Sequence, residues 1–444
     1  MLKKQIIFSM FIAFLVTGTI FPAVLADAAL TNTRFQDTGN LNIVAGGVGL
    51  QGVTEGEIAL DIPNSGKSEV VAAYLYWSGY DPIDGGDDEV DFEGKTVTVL
   101  ATYGPDLWYA PHYCYVYVAD VTSDVKTGNN IYTIEGVDEL DRNFGAGLIA
   151  VYQSKNLPWA QVTILDGLDN FWFGWPNPRG PNSEVTALTF ANSVFPRVAE
   201  VTLFAGATEH DDRPNEIWTA TGTGTPDTNL ITTPSIPDDD YSLVGIDGPS
   251  WDTYSTDVEI PAGDEWLGVQ VESIYTEDDS GSPEYYGRGT SGVLAAAGFV
   301  LPLPVEGGKV TGGGQIPIIS GGKGSFGFNA MWYSRDPAPK GELEYVDHDT
   351  GTKVHAHNLD WLEVFESNPG NKPWPMRYAF FKGPCTVDHV AGYYFECLVE
   401  DDTEPGTADR FTLLVYEIGN PSNVIIDEDA TLIHGNIQIH KPPQ

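Results

Sequence analysis

The sequence predicts an all-β protein: an N-terminal antiparallel β-sandwich of jelly-roll type, followed by a smaller C-terminal β-sandwich or barrel. Three observations carry this. The run Val70-Val71-Ala72-Ala73-Tyr74-Leu75-Tyr76-Trp77-Ser78-Gly79 is uncharged, β-branched and aromatic, and apolar on both alternating faces, the pattern of a strand buried on both sides. With 49 Gly, 30 Pro and 12% aromatic residues in 444, the composition favours short strands joined by turns. Beyond the N-terminal segment no apolar period of several helical turns is visible.

The chain opens with Lys3 and Lys4 ahead of an apolar run over 5–24, and small residues then permit cleavage after Ala26 or Ala28. This is the pattern of a secretory signal over 1–28. No second apolar stretch approaches the ~20 residues that span a bilayer, and the closing His440-Lys441-Pro442-Pro443-Gln444 carries no sorting signal or apolar tail. The mature chain is therefore expected to be secreted, extracellular or held at the cell surface.

Charge narrows the partners. Asp plus Glu number 63 against 22 Lys plus Arg, a formal net charge of -41. Nothing basic is available to neutralise phosphates, so nucleic acid is excluded as a partner. The excess suits solubility at high ionic strength or the binding of hard cations, with calcium the natural candidate cofactor.

After the signal, 31–52 reads as a strand region ending in a glycine turn at Gly46-Gly47-Val48-Gly49, and 56–62 as a strand. The central run over 70–79 follows, then an acidic loop over 80–89 that holds Asp84, Asp87 and Asp88. Strands follow over 91–101, 113–121, 131–134, 145–152 and 162–167. Phe171-Trp172-Phe173-Gly174-Trp175 is the densest aromatic loop; Trp172 and Trp175 are candidate sugar-stacking residues, although loop residues capping a sandwich edge look the same. Further acidic loops hold Asp211 and Asp212, then 238–240 and 277–279. Strands over 267–274 and 292–301 complete the first unit, 29–304. Leu301-Pro302-Leu303-Pro304-Val305-Glu306-Gly307-Gly308 is the boundary, because its prolines and glycines stop any continuing element.

The second unit, 305–444, places strands over 308–316, 324–330, 341–348, 354–357, 393–402, 409–416 and 435–440. Its acidic turn holds Asp401 and Asp402, which join the loop carboxylates as candidate calcium ligands. None of these loops has the spacing of an EF-hand, and each also reads as a solvated turn. With a hairpin centred near Ala391, Cys385 and Cys397 face each other and are expected to form a disulfide in an oxidising compartment. Cys114 is left as a buried thiol. His355 and His357 share one strand face with His348 nearby, but spacing fixes no third ligand, so they read as a solvated face. No zinc-protease helix motif, nucleophile elbow or dinucleotide fingerprint is present.

Two ordered sets of motifs resemble known families. Residues 72–79, Ala119-Asp120-Val121-Thr122, Gly147-Leu148-Ile149-Ala150-Val151-Tyr152 and Val162-Thr163-Ile164-Leu165-Asp166-Gly167, with Ser250-Trp251-Asp252-Thr253-Tyr254 later, resemble an uncharacterised extracellular domain. That domain stands at the head of bacterial and archaeal adhesin-like surface proteins. The similarity spans about 30–305. From about 308 to 440, Gly312-Gly313-Gly314, Phe326-Gly327-Phe328-Asn329, Asp347-His348, Asp409-Arg410-Phe411 and Gly435-Asn436-Ile437-Gln438 resemble the post-COAP domain, a small β module of secreted proteins. Both resemblances imply an extracellular β architecture and bring no catalytic residues. The expected function is an exported, non-enzymatic cell-surface or matrix protein that binds or assembles with other envelope components. A carbohydrate-binding protein using Trp172 and Trp175 is the alternative, and a secreted glycan-active enzyme the second.

Overall fold

The computed structural model describes residues 29–64, 67–82, 86–138, 142–176, 179–208, 213–232, 242–274, 290–333, 335–367, 376–402 and 408–440. The expected signal segment, with Asp84, Asp211 and Asp212, lies outside them. The described residues form twenty-eight strands and no helix.

The strand Glu69–Asp81 is the middle of a five-stranded antiparallel sheet, flanked by Arg142–Gln153 and His112–Asp120, with Leu41–Gly49 and Ala101–Tyr109 at the edges. Both of its faces are buried, as the apolar run requires. Tyr74 and Tyr76 pack with Ile164 and Phe204 of a second five-stranded sheet, built around Ala160–Trp172, Ser291–Pro302 and Arg197–Gly206. Leu75 and Trp77 pack the other way, with Ile58 and Ile134 of a four-stranded sheet that contains Glu55–Ile62 and Gly128–Glu135. The second five-stranded sheet is covered in turn: Val201 and Phe299 meet Leu267 and Val269 from a three-stranded sheet centred on Trp266–Ser273. The sandwich is thus a stack of four sheets, and its two inner sheets are buried on both faces. Each large apolar side chain fully buried in such a layer contributes roughly 1.5–3 kcal/mol.

Two local expectations change. Simple alternation places Val71 on the face of Ala73, but the ladder shifts register where Val151 opposes Ala72 and Tyr152 opposes Val70. That bulge turns Val71 towards Tyr74 and Tyr76. The glycine cluster at 46–49 is not a turn; it continues the strand Leu41–Gly49. A Cβ at Gly47 would overlap the Trp251 indole, and one at Gly49 would overlap the backbone of Gly248 and Pro249. The glycines let the 245–251 segment lie against the strand.

From Val305 onward eleven strands form one curled sheet. It runs from Asn420–Thr431 through Arg410–Glu417, Val390–Asp401, Met376–Val387, Lys353–Ala356, Lys340–Asp347, Lys323–Trp332 and Gly308–Pro317 to His434–His440. Trp361–Ser367 branches from Met376–Val387, and Val305–Glu306 pairs with it. The half-barrel closes over a single core in which Phe326 and Phe411 stack at 4.0 Å. Its outermost strands share no ladder. Instead, Asp409 accepts from the N–H of Ile437 (2.7 Å) and Asp401 from that of Ile439 (2.9 Å).

No described strand before Val305 pairs with one after Pro302. The two parts touch where Phe195 stacks on Phe365 at 5.5 Å beside Tyr378; just before the boundary, Leu303 N–H donates back to Trp159 O (2.8 Å).

The hairpin between Met376–Val387 and Val390–Asp401 corrects the cysteine pairing. Its loop is Asp388-His389, both at positive φ, and Val387 pairs directly with Val390. That is the geometry of a two-residue hairpin loop. The turn therefore precedes Ala391, Cys385 faces Tyr393, and Cys397 faces Phe381. Four residues of strand separate the cysteines along the ladder, about 13 Å at the strand rise, where a disulfide needs Cα atoms within about 7 Å. Cys114, Cys385 and Cys397 are all free and buried.

Candidate functional site

The structure brings Trp172 and Trp175 together and turns them on each other. Trp175 N–H donates to Trp172 O (3.0 Å), and the two rings meet edge to face at 5.8 Å. Trp108 approaches Trp175 at 5.4 Å, also edge-on. The guanidinium of Arg179 lies 3.5 Å from the Trp175 ring centroid, a cation–π contact held in place by its ion pair with Asp106 (2.7 Å). Trp172 folds over Gly174, where any Cβ would overlap its ring. Sugar stacking needs an open ring face; here one face of Trp175 carries a cation and the rings stand perpendicular. The cluster caps the end of the two five-stranded sheets.

The described acidic residues tie loops. Asp87 O accepts from Trp77 Nε1 (3.0 Å), Asp87 N–H donates to the Tyr117 hydroxyl (2.8 Å), and the Asp87 carboxylate accepts from Asp138 N–H (2.7 Å). Burial raises its pKa. Asp88 is exposed beside it. Asp401 is engaged in closing the half-barrel, and Asp402 N–H leans on Asp409 (3.3 Å). Among the described residues, no three His, Cys, Asp or Glu side chains converge to hold a metal ion. His355 and His357 do share a face, and the hairpin loop adds His389, which sequence spacing gave no reason to include. Their rings lie parallel, at 6.5 Å between His355 and His357 and 5.9 Å between His355 and His389.

One concave feature lies where the two parts of the chain meet. It is a groove of about 600 Å³, within the roughly 300–1,000 Å³ of small-ligand sites. Trp159 stands on one wall, 41% exposed, at the entry to Ala160–Trp172, and is fixed by the bond from Leu303. Trp332 and Tyr333, at the end of Lys323–Trp332, line it as well. Trp332 is braced by Trp361 (5.6 Å, edge-on), and its Nε1–H donates to Asp336 O (3.2 Å). Glu366 and Arg377 also line it, cross-strand partners whose Arg377 Nε and Glu366 Oε2 stand 3.8 Å apart. Arg377 Nε is buried without a hydrogen-bond acceptor. Glu306 and Asp336 add negative charge at the rim. Nearby, burial, with Glu306 opposite it, raises the pKa of Glu363.

No family model, curated protein or solved structure matches this chain.

The sequence did not reveal the groove, because its walls come from Trp159 and Trp332, on either side of the boundary.

Proposed function

We propose that this chain is an exported, non-enzymatic surface or matrix protein of two β units, divided between Pro302 and Val305, that acts by binding at the groove between them. The signal-like N-terminus supports export. The resemblances to an extracellular surface-protein domain and to the post-COAP module support the extracellular setting. The observation that carries the reading is the groove itself: Trp159, Trp332 and Tyr333, from both units, line one concavity together with the Arg377–Glu366 ion pair, and ligand sites favour such junctions. The acidic loops would keep the protein soluble and away from anionic surfaces.

The purified mature protein is expected to be retained on insoluble envelope or matrix material from its source. A Trp159→Ala/Trp332→Ala variant that melts like wild type should be washed off. Equal retention of the variant removes the groove as the binding site.

A further inference from the structure

We propose that His355, His357 and His389 form a surface chelate for a divalent transition-metal ion, copper(II) above all, with His355 as the ring common to two binding pairs. The site is separate from the groove, and its geometry carries it. A metal at ~2.0–2.1 Å from each ring nitrogen places the centroids of two ligating imidazoles at most roughly 6.5 Å apart. His355 stands 5.9 Å from His389 and 6.5 Å from His357. Each pair is within the span of one ion, so binding needs only side-chain rotation. Among the described residues no three such side chains converge on one point, so two rings hold the ion at a time, with His355 in either pair.

The backbone sets these positions. His355 lies in Lys353–Ala356, and His357 follows it on the same face. The hairpin loop brings His389 from elsewhere in the chain. Asp388 N–H donates to Lys353 O (2.9 Å), and Lys353 N–H donates to Asp388 Oδ1 (2.9 Å). This clasp ties the loop to the strand that carries His355. His389 itself has φ of 67°, at a position where two-residue hairpin loops favour glycine. The loop thus holds an imidazole where glycine would sit with less strain.

The donor set selects the metal. Neutral imidazole suits zinc, nickel and copper, and copper(II) binds such sites most strongly among the divalent first-row ions. Calcium takes oxygen ligands. Glu344, the ladder partner of His355, places Oε1 3.3 Å from His355 Nδ1. A carboxylate there favours the ring proton on Nδ1 and leaves Nε2 free to ligate, as second-shell carboxylates do for metal-bound histidine. The net charge of -41 favours any cation.

Calorimetry and electron paramagnetic resonance on the untagged mature protein near neutral pH, with copper(II), zinc and calcium chlorides, test this. Copper(II) is expected to bind and to show nitrogen splitting from two imidazoles. Zinc should bind more weakly, and calcium should not compete. Loss of an outer-shell partner costs about 10–100-fold in metal affinity. Glu344→Gln is therefore expected to weaken copper binding about tenfold, and His355→Asn by more. His357→Asn and His389→Asn each leave one pair and should cost less than His355→Asn; together they should cost as much. His348→Asn, which removes the histidine bonded to Ser325, should bind like wild type. Each variant is checked for an unchanged melting temperature, and the wild-type spectrum reports the ligands without relying on any variant. Copper binding unchanged in His355→Asn, a spectrum with oxygen ligands only, or displacement of copper by calcium overturns the proposal.

Discussion

Asp166 is fully buried between the two five-stranded sheets, and three donors close on it. Arg34 Nε donates at 2.6 Å, Tyr103 at 2.6 Å and Tyr76 at 3.0 Å, while Arg34 also reaches the Tyr103 hydroxyl at 2.9 Å. Burial works against the Arg34 charge, but the hydrogen bond and attraction from Asp166 outweigh it and raise the Arg34 pKa. Burial, reinforced by Asp166, pushes the Tyr76 and Tyr103 hydroxyls up as well, so both remain donors. A buried ion pair is weak evidence of net stability, whereas breaking one is expensive. Arg34→Ala is expected to cost about 3–5 kcal/mol, because it strands the carboxylate. Tyr76→Phe should cost about 1.5–3 kcal/mol, one bond to a charged group. Urea unfolding of both variants checks this, and a Tyr76→Phe loss as large as that of Arg34→Ala would contradict it. Nothing in the sequence ties these four residues together. Asp166 was read only as part of a strand motif, and its partners lie far away in the chain.

At the level of the element, composition showed what each segment is and local geometry decided how it is used. Glu69–Asp81 was legible because burial on both faces leaves no polar alternation to mistake. Its bulge at Val71 was not, since an extra residue in one strand leaves no trace in that strand's own letters. A strand that must admit Trp251 and a turn both ask for glycine, so the cluster in Leu41–Gly49 read equally well either way. The hairpin after Val387 shows the same limit. Asp388-His389 takes positive φ at two non-glycine residues, while Gly392 offered a more conventional turn, and three residues of error moved the cysteines into apparent register. The corrected register has a measurable outcome. All three thiols should be titratable after unfolding without reductant, and unreactive before it. Burial raises the Cys385 pKa to about 12 and places that of Cys397 well above the ordinary value, so neither presents a thiolate near neutrality. Reductant should leave the melting temperature unchanged; a drop on reduction would restore the disulfide.

Over the whole molecule, the acidic excess is a matter of stability as well as solubility. Burial raises the carboxyl pKa of Glu200, Asp247 and Glu363. Such a group binds its proton more tightly in the native chain than in the unfolded one. Stability then rises as pH falls through the native pKa, and the gain is complete below the unfolded value of about 4. Asp429 runs the other way, held low by its hydrogen bonds from Arg410 at 2.6 Å, so its contribution is lost only below about pH 4. The melting temperature should therefore climb as the pH is lowered from neutrality towards about 4 and fall in stronger acid. Glu200→Gln should flatten part of the climb, and a melting temperature that stays flat or falls as the pH is lowered from neutrality to about 4 would rule the account out. The all-β class was legible at this scale from turn residues and two-faced strands. The number of layers was not, because a strand records only that both faces are covered.

The four-sheet stack has a consequence for time rather than for energy. In a two-layer sandwich every sheet has a wet side, and solvent can attack its ladders from there. Here the sheet around Glu69–Asp81 and the sheet around Ala160–Trp172 have no wet side along most of their length. The outer four- and three-stranded layers can loosen separately, but the two inner ladders are exposed to solvent only when a whole neighbouring layer lifts away. The layered order makes the persistence of the native chain depend on the rate of that rare event.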